Sequence, residues 1–110
     1  GVAENQISLG NGSTENMRAV IQMLQHKALK EGKAFQMVIP VPTFDCAEMY
    51  ANSIGVPVVK IPLTAENYDY DFDELQRAAD DFDGISLLYI CNPNNPTGII
   101  TSTEKLREWD

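Results

Sequence analysis

From Thr14 to Glu31 the apolar residues Met17, Val20, Ile21, Leu24 and Ala28 recur every three or four positions. That spacing predicts one face of a helix, and Gly32 stands where a left-handed residue would end it. Phe35 to Ile39 is a compact apolar run closed by Pro40-Val41-Pro42, the pattern of a strand. A second helix is predicted from Phe44 to Ser53, with Cys46, Ala47, Met49, Tyr50 and Ile54 inward and Gly55 ending it. Val56 to Ile61 reads as the next strand, and Pro57 near its start marks an edge or a bulge. A polar connection over 62–70 leads to Phe72, Leu75, Ala78, Ala79 and Phe82, a third helix with Asp71 or Asp73 as N-cap. Ile85 to Ile90 is a continuous apolar run but for Ser86, as expected of a strand covered on both faces. Thr101 and Glu104 have capping-box spacing and open a last helix that would reach Asp110. At the front, Ile7-Ser8-Leu9 reads as a short strand before the turn Gly10-Asn11-Gly12-Ser13.

Strand and helix therefore alternate. The expectation is an α/β fold with a mainly parallel sheet, right-handed crossovers and helices on both faces, in three α/β/α layers. A length of 110 residues fits one domain or a piece of a larger one. The chain starts at Gly1 rather than Met and stops in a helix that has only begun, so a segment of a longer protein is expected.

Composition narrows the function classes. With 44% hydrophobic and 22% charged residues the chain reads as soluble and globular. It has no apolar run of about 18 residues for a membrane span, and no signal peptide is visible. A formal charge of −8 argues against a nucleic-acid partner, which would want a basic face. The acids crowd the stretch from Glu66 to Asp83, expected to be solvated and remote from any site. Cys46 and Cys91 have neither metal-site nor redox spacing, and a reduced, cytoplasmic protein is the expectation.

The candidate chemistry lies in three loops. In an open parallel sheet, ligands bind beyond the C-terminal ends of the strands. Gly10-Asn11-Gly12-Ser13-Thr14, Pro42-Thr43-Phe44 and Asn92 to Gly98 should all stand there. The first enters a helix, whose free N–H groups suit a phosphate, and the Ser13 and Thr14 hydroxyls add donors. It is neither a P-loop nor a dinucleotide fingerprint, and a plain turn with an N-cap is the alternative. Phe44 follows a strand end, either as a hydrophobic staple or as a ring for stacking. The third loop, "CNPNNPTG", runs directly from an apolar strand. Asparagine is costly to bury without partners, so something at the end of that strand must use the amides.

Taken in order, "GNGSTE", "VPTFDCAEMY", "GVPVVKIPL" and "CNPNNPTG" closely resemble the cofactor domain of fold-type I pyridoxal-phosphate aminotransferases. Within the class I/II enzymes, it most resembles the histidinol-phosphate aminotransferase branch. The resemblance runs from about Ile7 to the end. It implies pyridoxal 5'-phosphate as cofactor, with Gly12, Ser13 and Thr14 on its phosphate and Phe44 stacked on its ring. It implies that Asn95 donates its amide to the cofactor's phenolic oxygen, aimed by a turn set by Pro96 and Gly98. Val41-Pro42 and Asn95-Pro96 are the candidate cis bonds. The same resemblance implies a homodimer acting on amino acids and 2-oxo acids, with residues 1–110 an N-terminal part of the large domain. It places the Schiff-base lysine, the aspartate for the pyridine nitrogen and the binding arginines downstream. None of Lys27, Lys30, Lys33, Lys60 and Lys105 sits in the serine-rich loop expected for that lysine. A lyase or decarboxylase of the same fold would share these loops, and a non-catalytic binding domain, a truncated pseudo-enzyme or a nucleotide-binding α/β domain, is the rival from another class.

Overall fold

The computed structural model describes residues 1–109. After a single 3-10 turn at Glu4–Gln6, the elements are α1 (Gly12–Glu31), β1 (Ala34–Val41), α2 (Cys46–Ser53), β2 (Val58–Pro62), α3 (Phe72–Asp80), β3 (Gly84–Leu88) and α4 (Thr103–Trp109). The strands form one parallel sheet in the order β2-β1-β3.

β1 is the centre of the molecule, with six consecutive buried residues from Phe35 to Pro40. Alternation sends its side chains both ways. Phe35, Met37 and Ile39 join Ile21 and Ala28 of α1 and Ala47 and Ala51 of α2 in one core. Val38 faces the other side, with Leu63, Tyr70 and Leu75. Gln36 is nearly buried, and its amide donates to Ala78 O and Ser86 Oγ, both at 3.0 Å, so the buried polar group is partnered. The expected three layers are present.

Handedness explains the layering. The chain steps from β1 to β2 through α2, then returns past β1 to β3 through α3. Crossovers of one hand put their helices on opposite faces when the direction of travel reverses. The loop after β1 therefore leads to one face. The loop after β3 leads to the other, where Trp109 of α4 packs with the α3 core. Between neighbouring strands whose loops part in this way, a crevice opens.

Several element ends differ from the sequence expectation. Ile7 to Leu9 form no strand: Ile7 is 55% and Leu9 91% exposed, and no described strand pairs with them. α1 begins at Gly12 rather than Thr14, and α2 begins at Cys46 rather than Phe44. β2 starts after Pro57, whose carbonyl accepts from Met37 N–H. β3 stops at Leu88 instead of Ile90, and Pro40 supplies the reason. On β1, Val38 O accepts from Tyr89 on the β3 side, whereas Val41 O accepts from Leu63 on the β2 side. Pro40 has the parity of Val38 and lacks the donor that would extend pairing with β3. α3 is capped by Asp71, whose carboxylate accepts from Glu74 N–H at 3.1 Å. α4 is not opened by the expected Thr101 capping box. Ser102 Oγ accepts from Lys105 N–H at 3.2 Å, while Thr101 is drawn inward and is 3% exposed. The expected run of this helix to Asp110 lies outside the described residues.

β3 opens tightly against its neighbour. A Cβ on Gly84 would meet the Ala34 carbonyl oxygen at 2.4 Å and the Phe82 ring at 2.7 Å. Backbone of the central strand cannot give way as a side chain can. Gly84→Ala is therefore expected to destabilise the chain by about 1–3 kcal/mol, read as a lower urea midpoint with unchanged slope.

Candidate functional site

The first loop places Gly12, Ser13 and Thr14 at the start of a 20-residue helix. Gly12 has φ 74°, a left-handed backbone that glycine adopts without strain, and so turns the chain into α1. Glu15 folds back to accept from Asn11 N–H. The N–H groups of Ser13 and Thr14, in the first helical turn, have no acceptor within the helix. Ser13 is exposed and Thr14 half-buried. This is a cradle suited to an anion.

The second loop leaves β1 through Pro42 and Thr43 and presents Phe44 just before α2. A hydrophobic staple would bury Phe44 against Met49, one turn into the helix. Instead Phe44 is 41% exposed and Met49 63%. The ring remains open to contact from outside.

In the third loop the asparagines divide the work. Asn92 and Thr101 exchange two hydrogen bonds, Asn92 Nδ2 to Thr101 O at 2.9 Å and Thr101 N to Asn92 Oδ1 at 3.0 Å. Asn94 is 3% exposed; its amide donates to Pro42 O at 3.0 Å and Thr97 Oγ1 at 2.9 Å, and its Oδ1 accepts from Thr43 Oγ1 at 2.7 Å. Asn95 is exposed, and among the described residues nothing hydrogen-bonds its side chain. Two amides hold the loop and one is free.

All three loops stand at the same end of the sheet. Asn94 ties the third loop directly to Pro42 and Thr43 of the second. Asn16 and Met17, in the first turns of α1, line one cleft with Leu88 and Tyr89 at the end of β3. Arg18 lies beside the α2 residues Cys46 and Met49, and its guanidinium is 5.3 Å from the Tyr50 ring centroid. Val41-Pro42 and Asn95-Pro96 are both cis, and so is Asn92-Pro93, which sequence reading passed over.

Sequence reading also missed the support beneath the loops. The acidic connection is not remote from them. Asp69 accepts from Thr101 Oγ1 at 3.2 Å and from Lys105 Nζ at 2.7 Å, and Thr101 in turn holds Asn92. Burial pushes the Asp69 carboxyl up, but bonds from Lys105, Tyr70 N–H and Thr101 outweigh it and hold the pKa below its usual value. Tyr70 donates its hydroxyl to Cys91 O, at the point where β3 gives way to the loop. The only sequence signal for these partners was that buried amides need acceptors.

Comparison with known proteins bears on what this arrangement is. The family model of class I and II aminotransferases matches residues 2–109. The chain belongs to that family. A histidinol-phosphate aminotransferase of Synechococcus sp. (strain JA-3-3Ab) is 33% identical over 105 residues, 96% of this chain and 27% of that protein. The histidinol-phosphate aminotransferase of Escherichia coli O1:K1 / APEC is 32% identical over 107 residues, covering 97% and 28%. This class I/II aminotransferase chain thus spans just over a quarter of the curated relatives it matches. Among solved structures, the histidinol-phosphate aminotransferase of Clostridium acetobutylicum superposes with a TM-score of 0.69 at 31% identity, over 92% of this chain and 26% of that one. A pyridoxal-phosphate-bound C-S lyase of Staphylococcus hominis gives 0.79 at 21% identity, over 96% and 26%, a likeness of fold alone.

The tyrosines flanking Cys91 give a pH signature. Burial, followed by the neighbouring Cys91, pushes the phenols of both Tyr70 and Tyr89 up to about 12. A raised folded-state pKa means the fold favours the neutral phenol. That stability is present below the unfolded value of about 10 and is lost as pH rises from there towards 12. In an ultraviolet titration of phenolate, Tyr70→Phe and Tyr89→Phe are each expected to remove one late-titrating component. Either variant leaving the late phase intact would show its phenol to be free.

Proposed function

We propose that this chain is the N-terminal part of the large domain of a pyridoxal-phosphate-dependent aminotransferase, which moves an amino group between an amino acid or amine and a 2-oxo acid or related carbonyl compound. What supports the reading most is the free amide of Asn95, on a loop pinned to the one that presents an uncovered Phe44 ring. The donor set fits the cofactor: an anion cradle, an aromatic face and a neutral amide, all at one sheet end.

In this reading Gly12, Ser13 and Thr14 hold the phosphate by backbone N–H and hydroxyl donors. Phe44 gives the pyridine ring an apolar, dispersion-rich platform. Asn95 donates a hydrogen bond to the phenolic oxygen, favouring its anionic form without adding a charge. When bound, pyridoxal phosphate supplies an electron sink for charge developing at the substrate carbon. The lysine that binds the cofactor covalently and moves the substrate proton is assigned to the rest of the enzyme, which the homodimer would share. The five lysines here lie on helices, after a helix end or in β2, and Lys60 and Lys105 pair with Glu48 and Asp69.

In the full-length enzyme, Phe44→Ala is expected to weaken cofactor binding by roughly five- to tenfold, the worth of an aromatic stack of about 1 kcal/mol. Equilibrium dialysis of pyridoxal phosphate measures it, and unchanged affinity would remove Phe44 from the site. Given an amino acid and a 2-oxo acid, that enzyme is expected to form the new amino acid. Release of ammonia without an acceptor would favour the lyase instead.

Residues 1–110 alone are expected to hold no cofactor covalently. Borohydride treatment with pyridoxal phosphate, followed by mass spectrometry, should show no stoichiometric lysine adduct. A single fully labelled lysine would overturn the assignment of that lysine to the rest of the enzyme.

A further inference from the structure

We propose that Asn94, held by Thr43, is a positioning residue that aims the Asn95 amide and keeps it in fixed relation to the Phe44 ring. This inference rests on the cofactor reading of Asn95 and Phe44 given above.

The orientation of the Asn94 side chain is dictated by its partners. A backbone carbonyl can only accept, so the atom 3.0 Å from Pro42 O must be the amide nitrogen. The oxygen then faces Thr43, and because an amide oxygen cannot donate, the Thr43 hydroxyl must. The second amide hydrogen goes to Thr97 Oγ1. The backbone of Asn94 is committed as well: its N–H donates to Ile99 O at 2.9 Å, and its carbonyl accepts from Gly98 N–H at 2.7 Å. Every polar group of this buried residue is engaged, whereas among the described residues nothing hydrogen-bonds the side chain of its neighbour Asn95.

The consequence is mechanical. Thr43 immediately precedes Phe44, and Asn94 immediately precedes Asn95. One part-buried hydrogen bond therefore joins the residue before the stacking ring to the residue before the donating amide. Moving either loop relative to the other breaks the Thr43 or the Pro42 bond and strands a polar group of the buried Asn94. The pin also crosses the crevice between β1 and β3, where their loops diverge and nothing in the sheet itself holds them together.

The test uses the full-length enzyme with bound pyridoxal phosphate and reads the pH midpoint at which the cofactor's visible absorption changes. A donor on the phenolic oxygen sets that midpoint, so Asn95→Ala calibrates the effect. Thr43→Val keeps the shape of the side chain and deletes the donor. It is expected to move the midpoint in the same direction as Asn95→Ala, by about half a pH unit or more. Thr43→Ser restores the hydroxyl and is expected to return the midpoint to that of the parent. Thr43→Val combined with Asn95→Ala should match Asn95→Ala alone, because the amide to be aimed is gone. Thr97→Val, at a half-buried position, is the second variant and should give a smaller shift of the same sign. A parental midpoint in Thr43→Val, or in Thr97→Val if the former does not hold cofactor, overturns the inference, as does an additive double variant. If Asn95→Ala itself leaves the midpoint unchanged, the cofactor reading of Asn95 falls, and the positioning role with it.

Discussion

β1 is hydrogen-bonded on both edges and covered on both faces, and the placement of everything else follows from that double burden. Its side chains must serve two cores, so six buried residues run in succession where a half-exposed strand would alternate. Its edges are occupied by β2 and β3, so the chain must cross it on returning from one to the other. A uniform crossover hand then requires α2 and α3 on opposite faces. The crevice at the C-terminal end of β1 is the result of these requirements, and it exists before any residue chemistry is considered.

What fills that crevice is a division of labour among amides. Asparagine has a donor and an acceptor group on a short side chain and can bridge backbone segments that no ladder joins. Asn92 bridges to Thr101, and Asn94 bridges to Pro42, Thr43 and Thr97. Leaving Asn94 buried without these partners would cost about 1–3 kcal/mol for each stranded group, a large share of a small domain's stability. The rigidity this gives bears on what the unpartnered Asn95 could do in the reading proposed above. A free amide on a mobile loop would lose its ordering entropy on binding, whereas one on a braced loop has already lost it.

The acidic connection has a structural part in the same device. Asp69 receives Thr101 and Lys105, and Lys105 also lies 5.4 Å from the Phe72 ring centroid. The partners of this carboxylate favour its charged form, so the brace is present above its usual pKa and weakens as pH falls through the lowered value. Asp71 caps α3, and Glu74 pairs with Arg77. A crowd of like charges that reads as solvated surface thus contains one group on which the far side of the site depends.

Much of this was legible in the amino-acid order. Period and punctuation located the helices and the three paired strands, because burial of one face or both leaves its mark on local composition. The α/β class followed from their alternation, and the family resemblance followed from the spacing of the three loop motifs. The ends were less legible. β3 stops at Leu88 because a proline on a different strand has no donor to offer, which no local reading of Ile85 to Ile90 contains. Ile7 to Leu9 has strand-like composition and no strand beside it. Thr101 fits a capping box by spacing, yet Asp69 and Asn92 claim it from elsewhere in the chain. The division among Asn92, Asn94 and Asn95 likewise belongs to the tertiary structure. Their side chains have identical chemistry, and which one turns inward depends on where Pro42 and Thr43, some fifty residues earlier, place their acceptor and donor. Sequence alone determined that amides would be needed at this sheet end; only the fold decided which of them would be spent on holding the loop and which left exposed, without a partner among the described residues.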